Sequence, residues 1–110
     1  MTTSITTLDQ LSSILQQEKS VVLYFSTLSC NVGEALQPKV EKLIENEFPK
    51  LKFYTIDLNF ASEVAASLNV FVEPTILVYF DSKETFRKSR NVGIGELLNA
   101  IERPYTLFFD

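Results

Sequence analysis

The run Val21-Val22-Leu23-Tyr24-Phe25 is apolar at every position and mixes β-branched with aromatic side chains. Such a run has no wet side. It reads as a strand covered on both faces, of the kind found at the centre of a parallel or mixed sheet. The rest of the chain must then supply two layers of cover. A second apolar stretch of the same length, Ile76–Phe80, belongs to a further strand, Thr75–Phe80, that opens after Pro74. Both stretches fall far short of the ~20 residues that cross a bilayer, so no membrane partner is expected.

The remaining segments alternate around these strands. Thr7 and Gln10 have the spacing of a helix capping box, and Leu8, Leu11, Ile14 and Leu15 follow at helical spacing, which predicts a helix over 8–18. Residues 26–33 are small and polar and read as a loop. A long helix with Leu36, Val40, Leu43 and Ile44 on one face follows, and Pro38 inside it is expected to kink it. Leu51–Leu58 reads as a strand, and Asn59 as the cap of a short helix carrying Ala61, Val64, Ala65 and Leu68. After Thr75–Phe80, a turn at Asp81-Ser82-Lys83 leads to an antiparallel return over 84–89. Ile94, Leu97, Leu98 and Ile101 mark a last helix that Pro104 is expected to end, leaving Tyr105–Asp110 as a tail. With a short first strand at 2–6, this order predicts an α/β sandwich around a mixed sheet.

The chain has 110 residues, the size of one domain, so 1–110 reads as a single unit with 103–110 as an extension. One cysteine and no histidine exclude an internal disulfide, a Cys/His zinc site and any Cys–His or Ser–His catalytic pair. No metal site and no cofactor are implied. A net charge of −4 argues against a nucleic-acid partner, which needs a concentrated positive field. The start of the chain lacks the charged and apolar pattern of a secretory signal. The expectation is a cytoplasmic protein whose lone thiol stays reduced.

The order of elements resembles the thioredoxin fold, a three-layer sandwich with a mixed sheet of four to five strands and four flanking helices. Local sequence carries the resemblance further. Val21–Phe25 followed by Ser26-Thr27-Leu28-Ser29-Cys30 is similar to the strand and loop that precede the family's reactive cysteine. Pro38 matches the proline inside the long helix, Ile56-Asp57 the end of the next strand, and Glu73-Pro74-Thr75 the segment with a cis proline. The resemblance covers about residues 1–103. It implies Cys30 as nucleophile and Ser29, Asn31, Val32, Gly33, Glu73, Pro74 and Thr75 as the substrate-binding surface.

The departures from that pattern bear on chemistry. The family's active site is C-x-x-C, but here Cys30-Asn31-Val32-Gly33 puts glycine where the resolving cysteine belongs. Ser29 replaces a tryptophan. Tyr24 and Phe53 stand where the family has a buried aspartate and its lysine, and Arg90 aligns with a glycine after the hairpin. Without a second thiol, a mixed disulfide on Cys30 can be released only by an outside thiol, so dithiol turnover is not expected. Glu34 and Glu73 would disfavour the thiolate, whereas a helix N-terminus would favour it.

Two readings follow. One is a monothiol protein of redox homeostasis that exchanges with protein thiols or disulfides, or with glutathione. The other is a redox-inactive interaction module with the same fold. Smaller features divide similarly. Cys30 is either reactive or an inert remnant, and Glu73 either a solvated acid or a residue that selects substrate. Lys83, Arg87, Lys88 and Arg90 read as a charged edge strand that blocks sheet pairing. Strand-like alternation in the aromatic tail puts Tyr105, Leu107 and Phe109 on one side and Phe108 on the other. The tail either folds back on the domain or mediates a homodimer.

Overall fold

A computed structural model describes residues 3–27 and 31–109, the side chains of 31–34 excepted. Among the described residues, the elements are β1 (Thr3–Ser4), α1 (Leu8–Gln17), β2 (Val21–Ser26), α2 (Asn31–Glu47), β3 (Lys52–Asp57), α3 (Ser62–Ser67), β4 (Thr75–Phe80), β5 (Lys83–Ser89) and α4 (Ile94–Phe109). The sheet has five strands in the order β1-β3-β2-β4-β5. β3 runs parallel to both β1 and β2, and β4 runs antiparallel to both β2 and β5.

The fully apolar run explains the layering. Period-2 alternation sends Val21, Leu23 and Phe25 to one face, where they pack with Leu11 of α1 and Val64 and Ala65 of α3. Val22 and Tyr24 go to the other, against Val40 and Ile44 of α2 and Leu97 and Ile101 of α4. β2 thus sits at the middle of a three-layer α/β sandwich, with every residue from Val21 to Phe25 fully buried.

Local chemistry sets the element ends. The Thr7 hydroxyl accepts from the Gln10 amide at 3.1 Å, and the Gln10 side chain accepts from the Thr7 amide at 3.1 Å, completing the capping box. The β4–β5 turn places Asp81 and Ser82 at φ 55° and 64°, as a tight hairpin of this twist requires. That turn is tied to α1 by the Ser82 hydroxyl, which donates to the Leu15 carbonyl, and to the residues just past the helix by the Ser82 amide, which donates to the Lys19 carbonyl at 2.7 Å. On the edge strand β5, Arg87 pairs with Glu84 at 2.8 Å and Lys88 with Glu96 at 3.1 Å. The hydrogen bond from Arg87 is the main cause holding the Glu84 carboxyl below its ordinary pKa.

Two expected boundaries are corrected. Asn59 does not cap α3. Instead Asp57 Oδ1 accepts from the amides of Asn59 at 2.8 Å and Phe60 at 2.9 Å, and the helix begins later, at Ser62. Pro104 does not end α4, which continues to Phe109 with the proline inside it. Proline forfeits one helical hydrogen bond there, but continuing the helix docks Tyr105 and Phe109 on the α2/α4 core. Tyr105 stacks against Phe48 with ring centroids 5.0 Å apart, and its hydroxyl accepts from the Lys50 amide at 3.1 Å. The helical period therefore replaces the alternation expected for the tail. Tyr105 and Phe109 share the inner face, while Leu107 stays 69% exposed.

Candidate functional site

The sheet register draws together two stretches that are far apart in sequence. β2–β4 pairing sets Phe25 opposite Thr75, so the residues after β2 lie beside those before β4. There the Thr27 hydroxyl donates to Glu73 Oε1 at 3.1 Å. The Glu73–Pro74 peptide bond is cis, and Pro74 and Thr75 are both buried.

The loop is fastened on several sides. The Thr75 hydroxyl donates to the Val72 carbonyl at 2.7 Å and lies 2.9 Å from the Ser89 hydroxyl. The Arg90 amide donates to the Pro74 carbonyl at 2.7 Å. Arg90 makes that bond from φ 69°, the left-handed region in which glycine is most at ease. This is the position where the resemblance expects a glycine, and arginine adopts the same backbone form.

Glu73 is not a solvated acid. Its side chain is partly buried, and its Oε2 is shut off from solvent with no hydrogen-bond partner among the described residues. An uncompensated buried carboxylate oxygen is costly, which makes the single bond from Thr27 the group's anchor. Sequence reasoning singled out Glu73 but missed Thr27. No local pattern links residues 27 and 73, and only the β2–β4 register makes them neighbours.

Tyr24 and Phe53 touch, with ring centroids 6.2 Å apart. Tyr24 is fully buried. Where the resemblance expects a carboxylate and an ammonium, the space behind the loop is filled by two aromatic rings. Neither ring supplies the carboxylate or the ammonium that the resemblance expects there.

Cys30 and Ser29 lie outside the described residues. Asn31, Val32 and Gly33 belong to the first turn of α2. On the α3 side of the loop, an open cleft of about 730 Å³ is lined by Asn59, Glu63, Phe71, Glu73 and Arg90 among others. Phe71, 72% exposed, is a large apolar side chain offered to solvent at this cleft. No group of three or more Cys, Asp or Glu side chains able to hold a metal ion occurs among the described residues.

The thioredoxin family model matches residues 2–103. The thioredoxin-like protein YdfQ of Bacillus subtilis is 28% identical over 106 residues, spanning 96% of this chain and 94% of that protein. Thioredoxin-1 of Saccharomyces cerevisiae is 31% identical over 84 residues, 76% of this chain and 81% of the yeast protein. Among solved structures, Fasciola hepatica thioredoxin superposes with a TM-score of 0.82 at 28% identity, covering 92% of this chain and 97% of its own. With the family model matched across nearly the whole chain and the same mixed sheet in its structural neighbours, the chain belongs to the thioredoxin family.

Proposed function

We propose that this thioredoxin-like protein acts in cell redox homeostasis through one thiol, Cys30, which directly precedes the first residue of α2. The observation that carries the reading is the Glu73–Pro74–Thr75 loop, held beside the end of β2 by the Thr27–Glu73 hydrogen bond. A loop fastened to Thr27, from which the chain runs on to the cysteine, supports a surface for a partner chain formed by Ser29, Asn31, Val32, Gly33, Glu73, Pro74 and Thr75.

In this mechanism the Cys30 thiolate attacks one sulfur of a partner disulfide. A Cys30–partner disulfide forms, and the other partner sulfur leaves as a thiolate. Gly33 offers no thiol for the second displacement. An external thiol, such as glutathione, attacks the Cys30 sulfur and releases the partner as a thiol. A second external thiol then attacks the external sulfur of the new mixed disulfide, regenerating Cys30 and leaving the external thiol oxidised as its disulfide. Protein thiols or disulfides and glutathione are therefore the proposed partners, in a reducing cytoplasmic setting.

Mass spectrometry after treatment with oxidised glutathione tests this. One glutathione adduct that disappears in Cys30→Ser is expected, and an unmodified chain would refute the reading.

The Tyr24–Phe53 contact favours a second reading, a redox-inactive interaction module. The fold is kept while the acid, the lysine and the resolving cysteine are gone. That reading requires partner capture to survive Cys30→Ser, whereas the first requires it to fail.

A further inference from the structure

The three parallel strands β1, β3 and β2 end together, and a cavity of about 410 Å³ opens just beyond them. The carboxyl ends of parallel strands are where α/β sheets hold ligands, and the volume lies within the ~300–1,000 Å³ of small-molecule sites. Ile5 and Ile56 give it an apolar floor, and Phe60 stands at its edge with 78% of its surface exposed.

Three polar groups in its lining have no partner among the described residues. Among the described residues, neither the Ser26 hydroxyl nor the Gln37 amide nor Asp57 Oδ2 makes a hydrogen bond. Asp57 is also pre-oriented. Its Oδ1 is occupied by the amides of Asn59 and Phe60, which fixes the carboxylate and leaves Oδ2 available. The same turn carries Phe60, so an aromatic face and a carboxylate are held at one mouth. Asp57 is the only charged residue in the described lining. A simple packing void would be apolar and dry. This one sets a carboxylate, a hydroxyl and a carboxamide beside an aromatic ring.

From this arrangement we propose that the cavity binds a compact monocationic amine with a small apolar body. The ammonium would donate to Asp57 Oδ2 and lie against the Phe60 ring, and the body would rest on Ile5 and Ile56. An anionic ligand meets like charge at Asp57, the only charged residue in the described lining. The proposed contacts use no thiol, so the proposal stands or falls separately from the thiol chemistry.

The test is an NMR titration of the full chain with three probes of one shape, benzylamine, benzyl alcohol and benzoate. Benzylamine is expected to shift the amides of Ser26, Gln37, Asp57 and Phe60 with a Kd on the order of 1 mM. Benzyl alcohol should bind roughly tenfold more weakly, for want of the charge-assisted bond, and benzoate not at all. Asp57→Asn keeps an oxygen for the Asn59 and Phe60 amides and should reduce benzylamine to the level of the alcohol. Ser26→Phe fills the cavity and should abolish binding of every probe. Benzoate binding as tightly as benzylamine, shifts confined to other surfaces, or no shifts with any probe would overturn the assignment.

Discussion

Replacing Thr27 with valine removes one hydroxyl and keeps the shape. The group it deprives is Glu73, whose Oε1 is bonded to Thr27 at 3.1 Å and whose Oε2 is already buried without a partner among the described residues. A hydrogen bond to a charged group contributes about 1.5–3 kcal/mol, and leaving its acceptor unsatisfied costs the same order. Thr27 is itself buried, so water cannot freely take over the lost bond. The expected loss is about 2 kcal/mol. In a chain of 110 residues this lowers Tm by about 9 °C. Urea unfolding followed by far-UV circular dichroism measures it, with an unchanged m-value as the check on two-state behaviour.

The decisive comparison is the double variant Thr27→Val with Glu73→Met. Removing both partners abolishes the unsatisfied carboxylate, so the pair should cost less than the sum of the singles by about 1 kcal/mol or more. A loss under about 0.5 kcal/mol for Thr27→Val, or strict additivity, would show that this bond does not fasten the loop.

Other consequences follow from separate parts of the molecule. Tyr105→Phe keeps the ring against Phe48 but removes the acceptor of the Lys50 amide, and should cost about 1 kcal/mol, or about 4 °C in Tm. Gly33→Cys supplies the missing second thiol. The pre-reduced variant should reduce one equivalent of a fluorescent peptide disulfide without added glutathione, its own two thiols ending as an internal disulfide, and failure to gain that activity would refute the explanation of single-thiol chemistry. Burial first, then the nearby Glu84 charge, raises the Tyr79 phenol above its ordinary pKa of 10.0, and burial followed by Glu18 raises Tyr54. Above pH ~10 the unfolded chain therefore loses these protons before the folded one does. Stability is full below that pH and falls as pH rises through it. Urea midpoints on both sides of pH ~10 check the sign, and Tyr79→Phe should flatten the alkaline fall.

Residues whose chemistry acts locally announced the fold. Val21–Phe25 demanded cover on two faces, and its alternation alone assigns Val22 and Tyr24 to one layer and Leu23 to the other. Thr7 and Gln10 fix the start of α1 because the capping box closes within four residues. Pro104 misled because its local cost was weighed without the gain made by the side chains after it. Tyr105 and Phe109 continue the helical spacing of Leu97 and Ile101, and their contacts with distant Phe48 and Phe80 keep the helix going. Asn59 misled for a related reason, since Asp57 had already taken its amide into a turn.

The site was legible only in part. Glu73-Pro74-Thr75 could be picked out by its resemblance to a family segment, but its fastenings could not. Thr27, Ser89 and Arg90 reach the loop through strand register, and register depends on pairings that no single segment encodes. The cavity beyond the parallel strands was invisible for the same reason, because Ser26, Gln37 and Asp57 come from three different elements.

The proposed function has Cys30 doing thiol chemistry in a chain with no second cysteine. The most direct measurement is the rate of Cys30 alkylation by iodoacetamide as a function of pH. A single titration with a midpoint below the ~8.5 of a free cysteine, lost in Cys30→Ser, is expected. A midpoint at or above that value, with alkylation no faster than a free thiol's, would contradict it and leave only the interaction module.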